Sequence, residues 1–144
     1  MPADHRQGLI DTNVVILRKW IDPAELPDEM AISAITLAEL SAGPHQVRSG
    51  AGYNKHAELA RRVAVLQWAE SEFDPIPFDV EAARIYGRIC AAAVAAGRTP
   101  RRRVAALMIA SIAVAEELPL FTTNPDDFKG LEELLTVVPV AHPS

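Results

Sequence analysis

The sequence predicts an α/β fold in which helices flank a mostly parallel sheet of four or five strands. Short apolar runs alternate with helical stretches along the chain, the pattern of a parallel sheet with crossover helices. One segment, Val104 to about Glu117, is apolar on nearly all sides, as expected of a helix buried at the centre of such a layered fold. No repeat, low-complexity tract or linker interrupts the 144 residues, so residues 1–144 are read as a single domain.

The composition sets bounds. Hydrophobic residues make up 49% and charged residues 23%, enough for a proper core and close to the globular norm. A single cysteine, Cys90, excludes an internal disulfide and any multi-cysteine zinc site, and suits a reducing compartment. No leader resembles a signal peptide and the longest apolar run is too short to span a bilayer, so the expectation is a soluble cytoplasmic protein. The net charge of −5 argues against a general nucleic-acid binder. The charge is uneven, however, with Arg98, Arg101, Arg102 and Arg103 close together and Asp126, Asp127, Glu132 and Glu133 further on. An acidic protein can act on a polyanion through metal ions held between carboxylate and phosphate.

Met1–Gln7 is polar and expected to fray. Leu9–Asp11 reads as the first strand, with a helix running on through Leu17 to Trp20 and turns at Asp22-Pro23 and Leu26-Pro27-Asp28. Met30–Ser33 is the second strand, and Ile35–Ala42 a helix stopped by Gly43-Pro44. His45–Asn54 reads as a mobile loop, and Asn54–Phe73 as a helix with Leu59, Val63, Leu66 and Phe73 on one stripe. Ile76–Phe78 is a third, edge strand hemmed by Pro75 and Pro77. Asp79 caps a long helix that turns Ala82, Ile85, Tyr86, Ile89, Ala93 and Ala96 inward and closes at Gly97. Pro119–Thr122 and Leu135–Val138 complete the sheet.

Three places could carry chemistry. Asp11 follows an apolar strand, and open parallel sheets collect their functional groups beyond the carboxyl ends of the strands. Taken alone, the stretch reads more simply as a strand followed by a capped helix, with Thr12 or Asn13 also able to cap. Glu39 lies among Ile35, Leu37, Ala38, Leu40 and Ala42, so it either needs a partner such as a cation or occupies the one wet face of its helix. Thr122–Phe128 follows another apolar strand and belongs on the same rim as Asp11, although Asn124-Pro125-Asp126 is also ordinary turn chemistry. Together the three places form an oxygen-ligand set suited to Mg²⁺ or Mn²⁺.

The combination resembles the PIN-domain ribonucleases, specifically the VapC-type toxins of bacterial toxin–antitoxin pairs. The resemblance rests on Leu9-Ile10-Asp11-Thr12-Asn13, Ser33–Leu40, Arg103–Ala110 and Leu120–Phe128, which run in the family's order and spacing across essentially the whole chain. It implies a PIN-like three-layer α/β/α fold and Mg²⁺-dependent hydrolysis of RNA phosphodiesters. Asp11 and Glu39 match metal-binding acids, Asn13 the polar residue that orients the first aspartate, and Asn124 the fourth site position. Asp127 is the adjacent acid and an outer-shell candidate, with Thr12 and Thr123 in support. A homodimer and a VapB-like antitoxin are implied as partners.

One departure stands out. Where the family's third motif has an aspartate, this chain has Ala106, and no residue from Arg102 to Ala110 is acidic. A methyl group neither ligates a cation nor takes a proton, so metal binding and activity should be weakened, whether the change arose naturally or by deliberate substitution. Arg98, Arg101, Arg102 and Arg103 either grip RNA phosphates or form a solvated helix start. Trp20, Trp68, Tyr53 and Tyr86 are read as packing residues before base-stacking ones, and the four histidines carry no ligand spacing. Two other readings are weighed: a PIN fold that has lost catalysis and binds RNA or an antitoxin-like partner, and a haloacid-dehalogenase-like phosphohydrolase. The latter needs a second aspartate where this chain has Asn13.

Overall fold

The computed structural model describes residues 6–48 and 54–143. Four short strands form one all-parallel sheet: β1 (Gln7–Ile10), β2 (Glu29–Ala31), β3 (Leu120–Thr122) and β4 (Val137–Pro139), in the order β2-β1-β3-β4. Five helices connect them: α1 (Thr12–Leu17), α2 (Ala34–Ala42), α3 (Lys55–Glu72), α4 (Val80–Ala95) and α5 (Val104–Ala115).

The alternation of side chains along β1 and β3 builds the layers. Leu9 and Leu120 face one way, into a core shared with α4, α5, Phe128 and Leu131. Ile10 and Phe121 face the other way, against Val14, Val15, Ile32, Leu40 and Ala69. The result is the three-layer α/β/α arrangement that the resemblance implies. As its composition requires, α5 is central, with Leu107 and the run Ile109–Ala113 all buried.

The strand order also locates a crevice. From β1 the chain moves to β2 on one side, while β3 and β4 lie on the other, so the order reverses between β1 and β3. Ligand sites of open parallel sheets lie at such a switch point, beyond the strand carboxyl ends. Asp11 follows β1 directly, and its N–H still bonds the Phe121 carbonyl (2.9 Å).

Several boundaries differ from expectation. The third strand, Ile76–Phe78, shrinks to one parallel bridge between Ser33 and Ile76, because the flanking prolines have no N–H to extend a ladder. The sheet therefore has four strands. Gln7 belongs to β1 and its side chain bonds Glu29 (2.7 Å). Ser33 is taken out of the second strand because its hydroxyl caps α2. The last strand shifts to Val137–Pro139, since the N–H groups of Leu134 and Leu135 are both spent on the Leu131 carbonyl.

Gly43 does not stop α2 in a left-handed conformation. It has helical dihedrals (φ −49°) and opens a 3₁₀ turn, Gly43–Gln46. Gly97 does close its helix at positive φ (77°), and Ala96, expected inward, is exposed. The stretches 1–5 and 49–53, within the expected fray and the expected loop, lie outside the described residues, as does Tyr53.

Candidate functional site

Asp11 is the first group on the rim. It is buried and acts as the N-cap of α1: Oδ1 accepts from the Thr12 N–H (2.8 Å) and Oδ2 from the Thr122 hydroxyl (2.9 Å). The helix-cap reading and the site reading of Asp11 are therefore the same geometry, and Asp11, not Thr12 or Asn13, is the cap. Burial holds its carboxyl above the ordinary carboxylate range. The Thr122 and Thr12 hydrogen bonds pull it down, while the charges of Glu39 and Asp127 push it up.

Thr12 joins the two halves of the site. Its amide holds Asp11, and its hydroxyl donates to Glu39 Oε1 (2.6 Å) across to α2. Glu39 stands on the exposed face of α2, and with Thr12, Asn13 and Arg62 it lines a cavity of about 320 Å³. The wet-face reading of Glu39 describes its exposure, and the hydrogen bond from Thr12 gives it a partner.

Asp127 sits in the 3₁₀ turn Pro125–Phe128 after β3. Its carboxylate lies 3.7 Å from Arg103 Nε at the start of α5, and that buried nitrogen has no hydrogen-bond partner among the described residues. Arg98 bonds the Asp126 carbonyl (2.6 Å) and pairs with its carboxylate (3.3 Å). Arg98, Arg102 and Arg103 line a second cavity of about 440 Å³ with Asp127, whereas Arg101 does not line it.

Other expected residues contribute less. Asn13 is exposed on the first cavity, and the groups that hold Asp11 are Thr12 and Thr122. Asn124 is exposed. Its amide donates to Thr122 Oγ1 (3.0 Å), and its side chain makes no hydrogen bond among the described residues. Thr123 is half-buried with no hydrogen bond of its own among the described residues. Ala106, in the first turn of α5, packs its methyl against the core on the α4 side. Trp68 packs edge-on to Phe73 with Arg18 over its ring, and Tyr86 packs against Phe78, while Trp20 is 60% exposed.

Thr122, Thr36 and Ser33 were not assigned roles from sequence, yet all are fully buried at the site. Only their place in the strand-to-turn and strand-to-helix junctions could have marked them.

No group of three or more His, Cys, Asp or Glu side chains converges among the described residues. Asp11 and Glu39, tied through Thr12, are two carboxylates. Mg²⁺ is commonly held by one or two carboxylates, with water and substrate phosphate completing its shell. The residues present therefore fit one ion held by Asp11 and Glu39.

The PIN domain profile matches residues 9–134. The chain belongs to the PIN-domain family. This PIN domain is 33% identical over 133 residues to ribonuclease VapC5 of Mycobacterium tuberculosis, covering 90% of this chain and 91% of that one. Its fold is similar to a crystal structure of VapBC-5, a toxin–antitoxin system of the same organism, with TM-score 0.77, 30% identity, and coverage of 95% of this chain and 99% of that one. It is also similar to FitAcB of Neisseria gonorrhoeae, with TM-score 0.62, 26% identity, and coverage of 90% and 94%. No helix among the described residues is long and apolar enough to cross a membrane.

Proposed function

We propose that this PIN domain is the toxin of a toxin–antitoxin pair, an RNA endonuclease of the VapC type whose output is lowered by Ala106. The observation that carries the reading is the Asp11–Thr12–Glu39 constellation at the sheet switch point, with Thr122 gripping the far oxygen of Asp11. The identity to a ribonuclease over 90% of the chain supports RNA as substrate. The likeness to VapBC-5 supports an antitoxin partner, and a homodimer and a cytoplasmic location belong to the same reading.

Asp11 and Glu39 would hold a Mg²⁺ ion, with Mn²⁺ as a substitute. When bound, such an ion supplies charge to polarise a phosphate and lowers the pKa of a water. The protein's part is positional. Thr12 and Thr122 fix both oxygens of Asp11, so its lone pairs keep one direction, and Thr12 also fixes Glu39. Asn124 orients Thr122 through its amide. Asp127 adds negative charge nearby, while Arg103 beside it tempers that charge.

The test is repair of the third acidic place. Ala106→Asp should give Mg²⁺-dependent RNA cleavage that EDTA abolishes, at a rate about 10²-fold or more above the parent. A folded Ala106→Asp protein without cleavage would overturn the enzymatic reading. That no third acid converges among the described residues favours one alternative, a PIN fold that only binds RNA or its protein partner. Tight binding with no activity after repair would select it.

A further inference from the structure

We propose that Thr36, acting through Thr12, is a positioning residue for Glu39: it is the middle link of a one-way chain of hydroxyls that starts at Ser33 and ends on Glu39 Oε1. Ser33 Oγ lies 3.3 Å from Thr36 Oγ1, Thr36 Oγ1 lies 3.0 Å from Thr12 Oγ1, and Thr12 Oγ1 lies 2.6 Å from Glu39 Oε1. Ser33 and Thr36 are both fully buried.

Counting protons fixes the direction. A hydroxyl has one proton to give, and an ionised carboxylate only accepts. Thr12 spends its proton on Glu39, so the proton shared with Thr36 must come from Thr36. Thr36 has then spent its own, and Ser33 donates to it. Ser33 Oγ accepts in turn from the Thr36 backbone N–H (3.0 Å), which closes the chain on the first turn of α2. Each bond polarises the next, and all the O–H dipoles point toward Glu39.

The arrangement answers a need of this site. Glu39 is a flexible side chain on an exposed face, and holding it in one rotamer costs entropy whenever a ligand must be bound. The buried end of the chain supplies a rigid anchor. Outer partners of ligating carboxylates set their orientation and their affinity for a metal. The consequence for catalysis rests on the proposed metal role of Glu39, whereas the direction of the hydroxyl chain does not.

Two measurements on the full chain test the proposal. The first is Mn²⁺ affinity, followed by electron paramagnetic resonance. Thr36→Val keeps the shape and removes the hydroxyl, and should weaken Mn²⁺ binding about tenfold. Thr36→Ser restores the hydroxyl and should bind within about twofold of the parent. If Thr36→Val folds poorly, Thr12→Val breaks the same chain one link on, with the same expected loss. The second is a metal-free urea-unfolding cycle of Thr36→Val against Glu39→Ala, whose effects on the unfolding constant should depart from independence by about threefold. Unchanged Mn²⁺ affinity in both valine variants, or independent effects in the cycle, would overturn the relay. If the parent takes up no Mn²⁺, the metal reading of the site falls and the unfolding cycle decides the relay by itself.

Discussion

Asp11 carries opposing demands in one side chain. Its carboxylate is buried where a charge is costly, near the like charges of Glu39 and Asp127, and hydrogen bonds from Thr122 and Thr12 offset that cost. The sign of the pH dependence follows. A group whose folded pKa is raised stabilises the fold below its unfolded pKa, near 3.8, and loses that contribution as pH climbs through the raised value. Asp11→Asn should therefore flatten a decline in stability that begins at about pH 4 in the parent, read by urea unfolding across pH. Glu58 has the opposite sign. Hydrogen bonds from Arg61 and then Arg62 lower it to about 2, so its contribution is present above the ordinary carboxylate range and fades as pH falls toward that value. Because this pair network lies at the surface, added salt should weaken the Glu58 effect and leave that of Asp11 largely intact. Asp11 and Glu39 stood out in the sequence as carboxylates among apolar residues, but each had a plainer reading, a helix cap and a wet helix face, until the later motifs were set beside them. Thr122 and Thr36 did not stand out, since a threonine beside a strand is unremarkable until folding sets Thr122 against a residue 111 positions away.

At the level of elements, β1 and α2 do most to place the site, while α5 fills the core. Gly8 lets β1 lie close to Phe121. A Cβ at that position would fall onto the Phe121 ring, which is itself buried. Gly8→Ala should cost about 1–3 kcal/mol of stability, seen as a lower urea midpoint, and should disturb the start of α1 and hence Asp11. In α5, apolar composition on every side made a central helix readable in advance, and Leu107 and Ile109 are almost completely buried. Its start at Val104 was legible too, although the local chemistry there is unusual for a helix start. Three arginines and no acid occupy the first turns, a poor match to the positive end of a helix dipole, and the first helical turn has no side-chain cap. The overextended third strand has an equally local cause. Ile76–Phe78 is apolar enough for a strand, but Pro75 and Pro77 limit it to one bridge.

For the whole molecule, the strand order explains why distant motifs meet. The sheet reverses between β1 and β3, so the residue after β1 and the turn after β3 share a rim, and α2 brings Glu39 to it through Thr12. Alternation of strands and helices made the parallel sheet legible, while the reversal point is a property of topology that no single segment carries. The electrostatics also divide at this scale. A chain of net charge −5 nonetheless presents Arg98, Arg102 and Arg103 on one cavity, with Arg101 outside it. If that cavity takes an RNA phosphate, Arg102→Ala should reduce the salt slope of single-stranded RNA binding by about 0.7, and Arg101→Ala should leave it unchanged. Titrations at several salt concentrations would distinguish the two.

The proposed function turns on the acid missing at position 106. Its most direct test is the initial rate of RNA cleavage in Mg²⁺ by the parent, Ala106→Asp, and Ala106→Asp combined with Glu39→Gln. Ala106→Asp should cleave at a rate about 10²-fold or more above the parent, and the rate should return to the parental one when Glu39 is also changed. Equal rates for folded parent and folded Ala106→Asp protein, or cleavage that survives loss of Glu39, would contradict it.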